Sequence, residues 1–291
     1  MGQALAWRAE QHVRGARWES AVADVLDAVR LGCLLVGGDV ATAQTGLWIV
    51  DRARVVVAPV LPSLSSELLT RLADGVWAAL ESKPLLETAY ANERANALTT
   101  LDALQAAYRS GDLTAFEKAM GADGADAVAK MREFKPESAA RKRLFDGIAA
   151  EIEEEAKLMT EMSRQPAAER NQEDPRWKRS NLRPHRLFAR HFILVGRGLL
   201  SEHDRCLART RILAIEAGAL ARVKSTGRAP RDLAFVPHRM RQDPFSGRDL
   251  LYRAVDRDFK VYSVGANFTD EQGDTNAAYE APDLRLERPL Y

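Results

Sequence analysis

The sequence predicts a mainly α protein: a helical bundle or short helical solenoid, closed by a small C-terminal antiparallel β-meander. Three observations carry this. Ala, Leu, Glu and Arg dominate residues 1–225, with apolar positions recurring at three and four, the spacing of one helix face. Glycine and proline interrupt that pattern at intervals suited to helix ends. After Lys224 the texture changes to short runs rich in Tyr, Val and Phe, bounded by turn residues. The 291 residues, 46% of them hydrophobic, have room for two modest domains or one long helical one. The expected division is a helical domain over 1–164, a polar linker or loop over 165–184, and a long helix with a β tail over 185–291.

Taken in order, residues 2–14 and 17–36 form a helical hairpin turned at Gly15, with Trp18, Ala21, Val25, Ala28 and Leu31 along one face. Gly37-Gly38-Asp39 ends one helix and starts the next. Pro59 to Pro62 is a break, and Ser63 or Ser65 caps a helix over Leu68 to Leu80, with Glu67 in its first turn. A helix over Leu85 to Ser110 follows, then one from Pro136 or Glu137 through Met162 that carries Glu151, Glu153, Glu154 and Glu155. Leu182 to Lys224 reads as one or two long helices. Strands are expected over Leu250 to Ala254 and Phe259 to Val264, joined by Asp256-Arg257-Asp258, with Tyr252 and Tyr262 as cross-strand partners. Residues 277–291 are extended.

The totals exclude several classes. Lys and Arg number 42 against 41 Asp and Glu, so a net charge of +1 does not suit a strongly basic nucleic-acid binder. Two cysteines make no disulfide framework; a buried free thiol is expected at Cys33, with a Cys33–Cys206 bridge as the open alternative. Arg8, Glu10 and Arg14 interrupt the N-terminus before any signal-peptide core forms, and no apolar run is long enough to span a bilayer. The chain therefore reads as cytoplasmic, or as an envelope protein whose targeting segment is missing; membrane contact would come only through such an anchor or a partner. There is no Walker A, Gly-x-Gly-x-x-Gly, Gly-x-Ser-x-Gly or His-Glu-x-x-His pattern. His203 and Cys206 share a helix face, but zinc needs three or four ligands and no third is in reach of the pattern.

Two resemblances add to this reading. The hairpin at Gly15 resembles a tetratricopeptide-type pair, and Tyr108-Arg109-Ser110-Gly111-Asp112 with Ala115 and Ala119 gives a second hint, without a fixed period. In the tail, Gly227-Arg228 with Pro230 and Leu233 precedes Asp243-Pro244-Phe245-Ser246-Gly247, then Tyr252-Arg253 and Tyr262-Ser263-Val264-Gly265. This order, over roughly 205–284, resembles the globular head of the major pseudopilin of type II secretion systems. It also resembles the ending of uncharacterised bacterial proteins with a helical body. The resemblance implies a tail fold and a calcium-holding loop, not a polymerising subunit. Some 200 residues precede the helix here, and Arg205, Arg209 and Arg211 make it amphipathic.

Calcium takes six to eight oxygens from carboxylates, amides and carbonyls. The expected ligands are Asn267, Asp270, Asp274 and Asn276, with Glu271 nearby, Gly265 and Gly273 for turns, and a structural role for the ion. The competing reading is a polar loop held by Asx turns. Asp243-Pro244 reads as turn chemistry, with Gly247 supplying a positive φ. The basic stretch 176–190, with Trp177 and Phe188, either meets an anionic surface or pairs with Glu151 to Glu155. The function expected is a non-catalytic scaffold or protein-interaction protein with a protein partner, associated by resemblance with the envelope or secretion. The alternatives are a soluble enzyme built from scattered polar residues and an adaptor for anionic surfaces through 176–190. A deep pocket with convergent carboxylates or histidines marks the enzyme; a broad apolar surface marks the scaffold.

Overall fold

The computed structural model describes residues 2–110, 114, 139–170, 197–274 and 283–286. Gly111, Ala115, Ala119, Asn276 and the basic stretch 176–190 lie outside them. The chain is mainly helical with a two-stranded antiparallel sheet near its C-terminus, as the residue pattern predicts. It divides into two compact units, neither of them continuous in sequence. The first holds Met1–Leu86, Gln165–Arg170 and Leu199–Tyr291; the second holds Glu87–Arg164 and Asn171–Gly198.

The first unit begins with α1 (Gly2–Arg14) and α2 (Trp18–Leu35). Ala21, Val25 and Ala28 are buried on the predicted face of α2, while Trp18 and Leu31 at its ends are half-buried. The hairpin reverses one residue later than expected. Gly15 still donates to the Gln11 carbonyl in helical fashion, and Ala16 takes the left-handed conformation at φ +50°. Across the turn, Arg8 grips the buried Asp24 with two bonds of 2.7 and 2.5 Å.

α3 (Val40–Val57) starts at Asp39, whose carboxylate accepts the Thr42 N–H at 2.8 Å. Where α2 crosses α3, Gly32 and Gly46 let the backbones touch. A Cβ on Gly46 would lie 2.4 Å from the Gly32 carbonyl oxygen. After a 3-10 turn (Ala58–Ser63), Ser65 rather than Ser63 caps α4 (Ser66–Glu81), accepting the Leu68 N–H at 3.2 Å.

The second unit is built on α5 (Leu86–Ser110) and α6 (Ala139–Ser163). They run antiparallel. Leu101, Leu104 and Tyr108 pack with Leu144, Phe145, Ile148 and Ile152, and the Tyr108 and Phe145 rings meet edge to face at 6.5 Å. Arg94–Glu153 and Arg164–Glu87 link the same two helices at the surface. Such exposed ion pairs are screened by water and salt and contribute little, so the apolar seam decides the pairing.

The centre of the first unit is α7 (Arg197–Thr226). Its arginines made it look amphipathic, yet Ile212 to Ile215, Ala217 and Ala219 are fully buried, so its middle is covered on all sides. Its partners are distant in sequence. Cys206 Sγ reaches the Leu47 carbonyl at 3.6 Å, Ser66 Oγ donates to the Ala221 carbonyl at 2.9 Å, and Lys224 Nζ donates to the Pro62 carbonyl at 2.8 Å. Cys33 and Cys206 are both buried free thiols.

Beyond the short helix α8 (His238–Arg241), β1 (Leu251–Val255) and β2 (Asp258–Tyr262) pair antiparallel around the turn Asp256-Arg257, with Asp256 left-handed at φ +54°. The register corrects one expectation. Tyr252 faces Val261, not Tyr262, so its ring stacks on the diagonal neighbour Phe259, with centroids 6.1 Å apart. Tyr262 lies on the other face and donates to Asp270 at 3.0 Å. Asp243 performs the turn role expected of it and more. It is buried and accepts from Phe245 N–H, Ser246 Oγ, Ser263 Oγ and Val264 N–H, which ties its turn to the end of β2. Gly247 has the expected positive φ, at +71°. Ala167 and Ala168 donate to the Pro244 and Phe245 carbonyls, so Gln165–Arg170 lies along this turn.

Candidate functional site

Three places in the described residues carry polar or exposed groups beyond what folding requires. The first is the tail loop after β2. Ser263 and Leu284 exchange two backbone hydrogen bonds, of 3.1 and 2.9 Å, laying the segment 283–286 beside the loop. Gly273 N–H donates to Asp283 Oδ2 at 2.7 Å, and Arg285 Nη1 donates to the Gly273 carbonyl at 3.2 Å. Of the four expected calcium ligands, three are described. Asn267 donates to Glu271 Oε1 at 2.7 Å and accepts the Thr269 N–H at 3.0 Å. Asp270 accepts from Tyr262 and from the Gln272 N–H, and meets Arg253 at 3.6 Å. Asp274 donates its backbone N–H to the Glu271 carbonyl at 3.1 Å. The bonds from Thr269 N–H to Asn267 and from Gln272 N–H to Asp270 are Asx turns, the contacts the competing reading describes.

The oxygens without a partner belong to other residues. Asp283, only 1% exposed, has no hydrogen bond at Oδ1, and Glu271 has none at Oε2. Burial first, and the Glu271 carboxyl beside it, push the Asp283 carboxyl up to about 6 against the pull of the Gly273 N–H. Sequence reasoning included Glu271 among the loop's oxygens but missed Asp283, which sits in the extended stretch after Pro282. Its one signal was an acid beside the alternating Leu284 and Leu286. Among the described residues, no three His, Cys, Asp or Glu side chains gather closely enough to hold a metal by themselves. Calcium in this loop would therefore draw on carbonyl oxygens as well as Glu271 and Asp283.

The second place is a buried polar chain in the first unit. Lys83 Nζ lies 3.1 Å from His203 Nε2, and His203 Nδ1 lies 3.5 Å from Asp204, which Arg170 grips with two bonds. An ammonium donor at Nε2 leaves the ring proton on Nδ1, facing the carboxylate. Burial lowers both the Lys83 and the His203 pKa. It raises the thiols, Cys33 to about 11 and Cys206 to about 12, so neither is a thiolate nucleophile at neutral pH. His203 does not face Cys206, whose sulfur turns to Leu47 and Thr210. His203 and Asp204 are buried, and Lys83 is half-buried. The cleft between α2 and α4, of about 520 Å³, is lined instead by Asp27, Arg30, Arg71 and Asp74.

The third place is the outer surface of α1 and α3. Trp7 is 63% exposed and Trp48 49% exposed, with Val55 partly exposed further along α3. Glu10 and Arg52 bridge the two helices at 3.2 Å. Each tryptophan lies one turn before a member of that bridge, so both indoles rise from the same strip.

No protein family, no curated protein and no solved structure matches this chain. Among the described residues, no helix is long and apolar enough to cross a membrane.

Proposed function

We propose that this chain is a non-catalytic protein-interaction module whose docking strip is the α1–α3 surface. The observation that supports it is the pair of exposed indoles, Trp7 and Trp48, held on one strip by the Glu10–Arg52 bridge. Tryptophan is costly to leave in water and is enriched at the energetic centres of interfaces. The partner is a protein that presents an apolar stripe with a charge near its centre, able to cover the indoles and answer Glu10 or Arg52.

The test is photo-crosslinking in the cells that make the protein, with a benzophenone amino acid at position 7, 48 or, on α4, 71. Positions 7 and 48 should capture the same protein and position 71 should not. No adduct at 7 and 48, or the same adduct from all three, ends the proposal.

A second reading concerns the tail: a structural calcium ion, favoured by the two buried carboxylate oxygens of Glu271 and Asp283 that lack a donor. A native-state ligand raises the unfolding midpoint in proportion to its saturation. Millimolar calcium should raise the midpoint over chelator in the native chain and not in Asp283→Asn; equal midpoints with calcium and chelator remove the ion.

A further inference from the structure

Lys83, just past the end of α4, is half-buried in surroundings that suit an amine better than an ammonium. Its Nζ has two protein partners, the Pro84 carbonyl at 3.3 Å and His203 Nε2 at 3.1 Å. Among the described residues no carboxylate pairs with it; Asp204, the acid beyond His203, is held by two bonds from Arg170. Arg211, further along α7, adds a like charge. Cys33 and Cys206 would steady a cation only as thiolates, and burial keeps both protonated at neutral pH. An ammonium here leaves its third N–H without a protein acceptor. A neutral amine gives its two N–H groups to Pro84 and His203 and keeps a lone pair free. Burial without a counter-charge favours that neutral form.

We propose that Lys83 is a covalent capture site for small aldehydes, which it holds as an imine while His203 moves the protons. A desolvated lysine beside another cation is the kind of amine that attacks carbonyl carbon. Because Lys83 is only half-buried, a small carbonyl compound can reach it. Imine formation needs a nucleophilic amine and a proton carrier, and both are present. The Nζ lone pair attacks the carbonyl carbon, and the C=O π pair moves to oxygen. The nitrogen sheds its two protons in turn, and His203 Nε2 passes each to that oxygen. The oxygen leaves as water, the C–O bond breaking as C=N forms, and the ring ends neutral. No oxidant, reductant or further reactant enters the step. Asp204 faces Nδ1 at 3.5 Å, which keeps the ring proton there and Nε2 free to accept. The capture turns nothing over and is independent of the α1–α3 strip.

The test treats the full chain at neutral pH with propanal and cyanoborohydride, which fixes an imine as a secondary amine that peptide mass spectrometry can place. Lys83 should be fixed about tenfold faster than the exposed Lys142 and Lys260. The same reaction in urea dismantles the site and should bring the three rates together. His203→Gln keeps an acceptor for Lys83 but cannot carry a proton. It should slow Lys83 about tenfold or more and leave Lys142 and Lys260 unchanged. Circular dichroism shows whether that variant is folded; if it is not, the comparison of native and urea-unfolded chain carries the test. A Lys83 rate no higher than that of the exposed lysines, a preference that persists in urea, or a folded His203→Gln with the native Lys83 rate overturns the site.

Discussion

Ala16 shows how a single backbone angle can be read as a stability reserve. It holds φ +50° at the end of α1, where its Cβ crowds the following carbonyl. Glycine has no such conflict and is the usual residue at this place in a helix ending. Ala16 is exposed, so no packing is lost by trimming it. Ala16→Gly should stabilise the first unit by about 1 kcal/mol, read as a higher urea midpoint with unchanged slope. The sequence placed a glycine at this turn but one residue early, because Gly15 still makes a helical bond and only the next residue reverses. Asp243 was the more legible residue. An acid followed by proline and, soon after, glycine predicts the turn directly; its reach to Ser263 and Val264 depends on tertiary packing that no local pattern encodes.

At the scale of elements, α2 and α3 cross backbone against backbone at Gly32 and Gly46. Two effects compete there. Alanine in a helix interior gains about 1 kcal/mol over glycine in propensity. A Cβ on Gly46, however, meets a backbone oxygen at 2.4 Å, and a carbonyl in a packed helix cannot swing away as a side chain can. Overpacking of this kind costs about 1–3 kcal/mol or more, so the clash wins. Gly46→Ala should destabilise by about 2 kcal/mol in denaturant titration. Gly198→Ala, near the start of α7 with nothing within 4 Å of its Cβ, should be neutral or slightly stabilising. Most helices were legible because capping and periodicity are local: Asp39 and Ser65 cap as their residue types predict. The strands came out within a residue or two, but their register did not. Tyr252 and Tyr262 have the same chemistry, yet Leu251 opposes Tyr262 and puts the two rings on opposite faces.

For the whole molecule, the pattern of residues could not convey which distant segments share a core. The covered middle of α7 is the case in point: Arg205, Arg209 and Arg211 mark an amphipathic helix by pattern, yet Ile212 to Ile215 directly after them are buried on every side. The candidate site was legible only in part for the same reason. Oxygen-rich residues between Asn267 and Asp274 stood out in sequence, but the turn consumes them locally, and the partner acid Asp283 arrives from the far side of residues 275–282. The exposed tryptophans were invisible as a pair, since Trp7 and Trp48 belong to separate helices, which the Glu10–Arg52 bridge joins.

The split composition of the first unit also sets a timetable for biosynthesis. Its opening 86 residues leave the ribosome well before α7, which supplies the contacts at Leu47, Pro62 and Ser66. At roughly ten residues per second, that leaves about ten seconds in which the inner sides of α3 and α4 have no helix to cover them. During that interval the nascent chain is a natural client for a chaperone that binds short apolar helices.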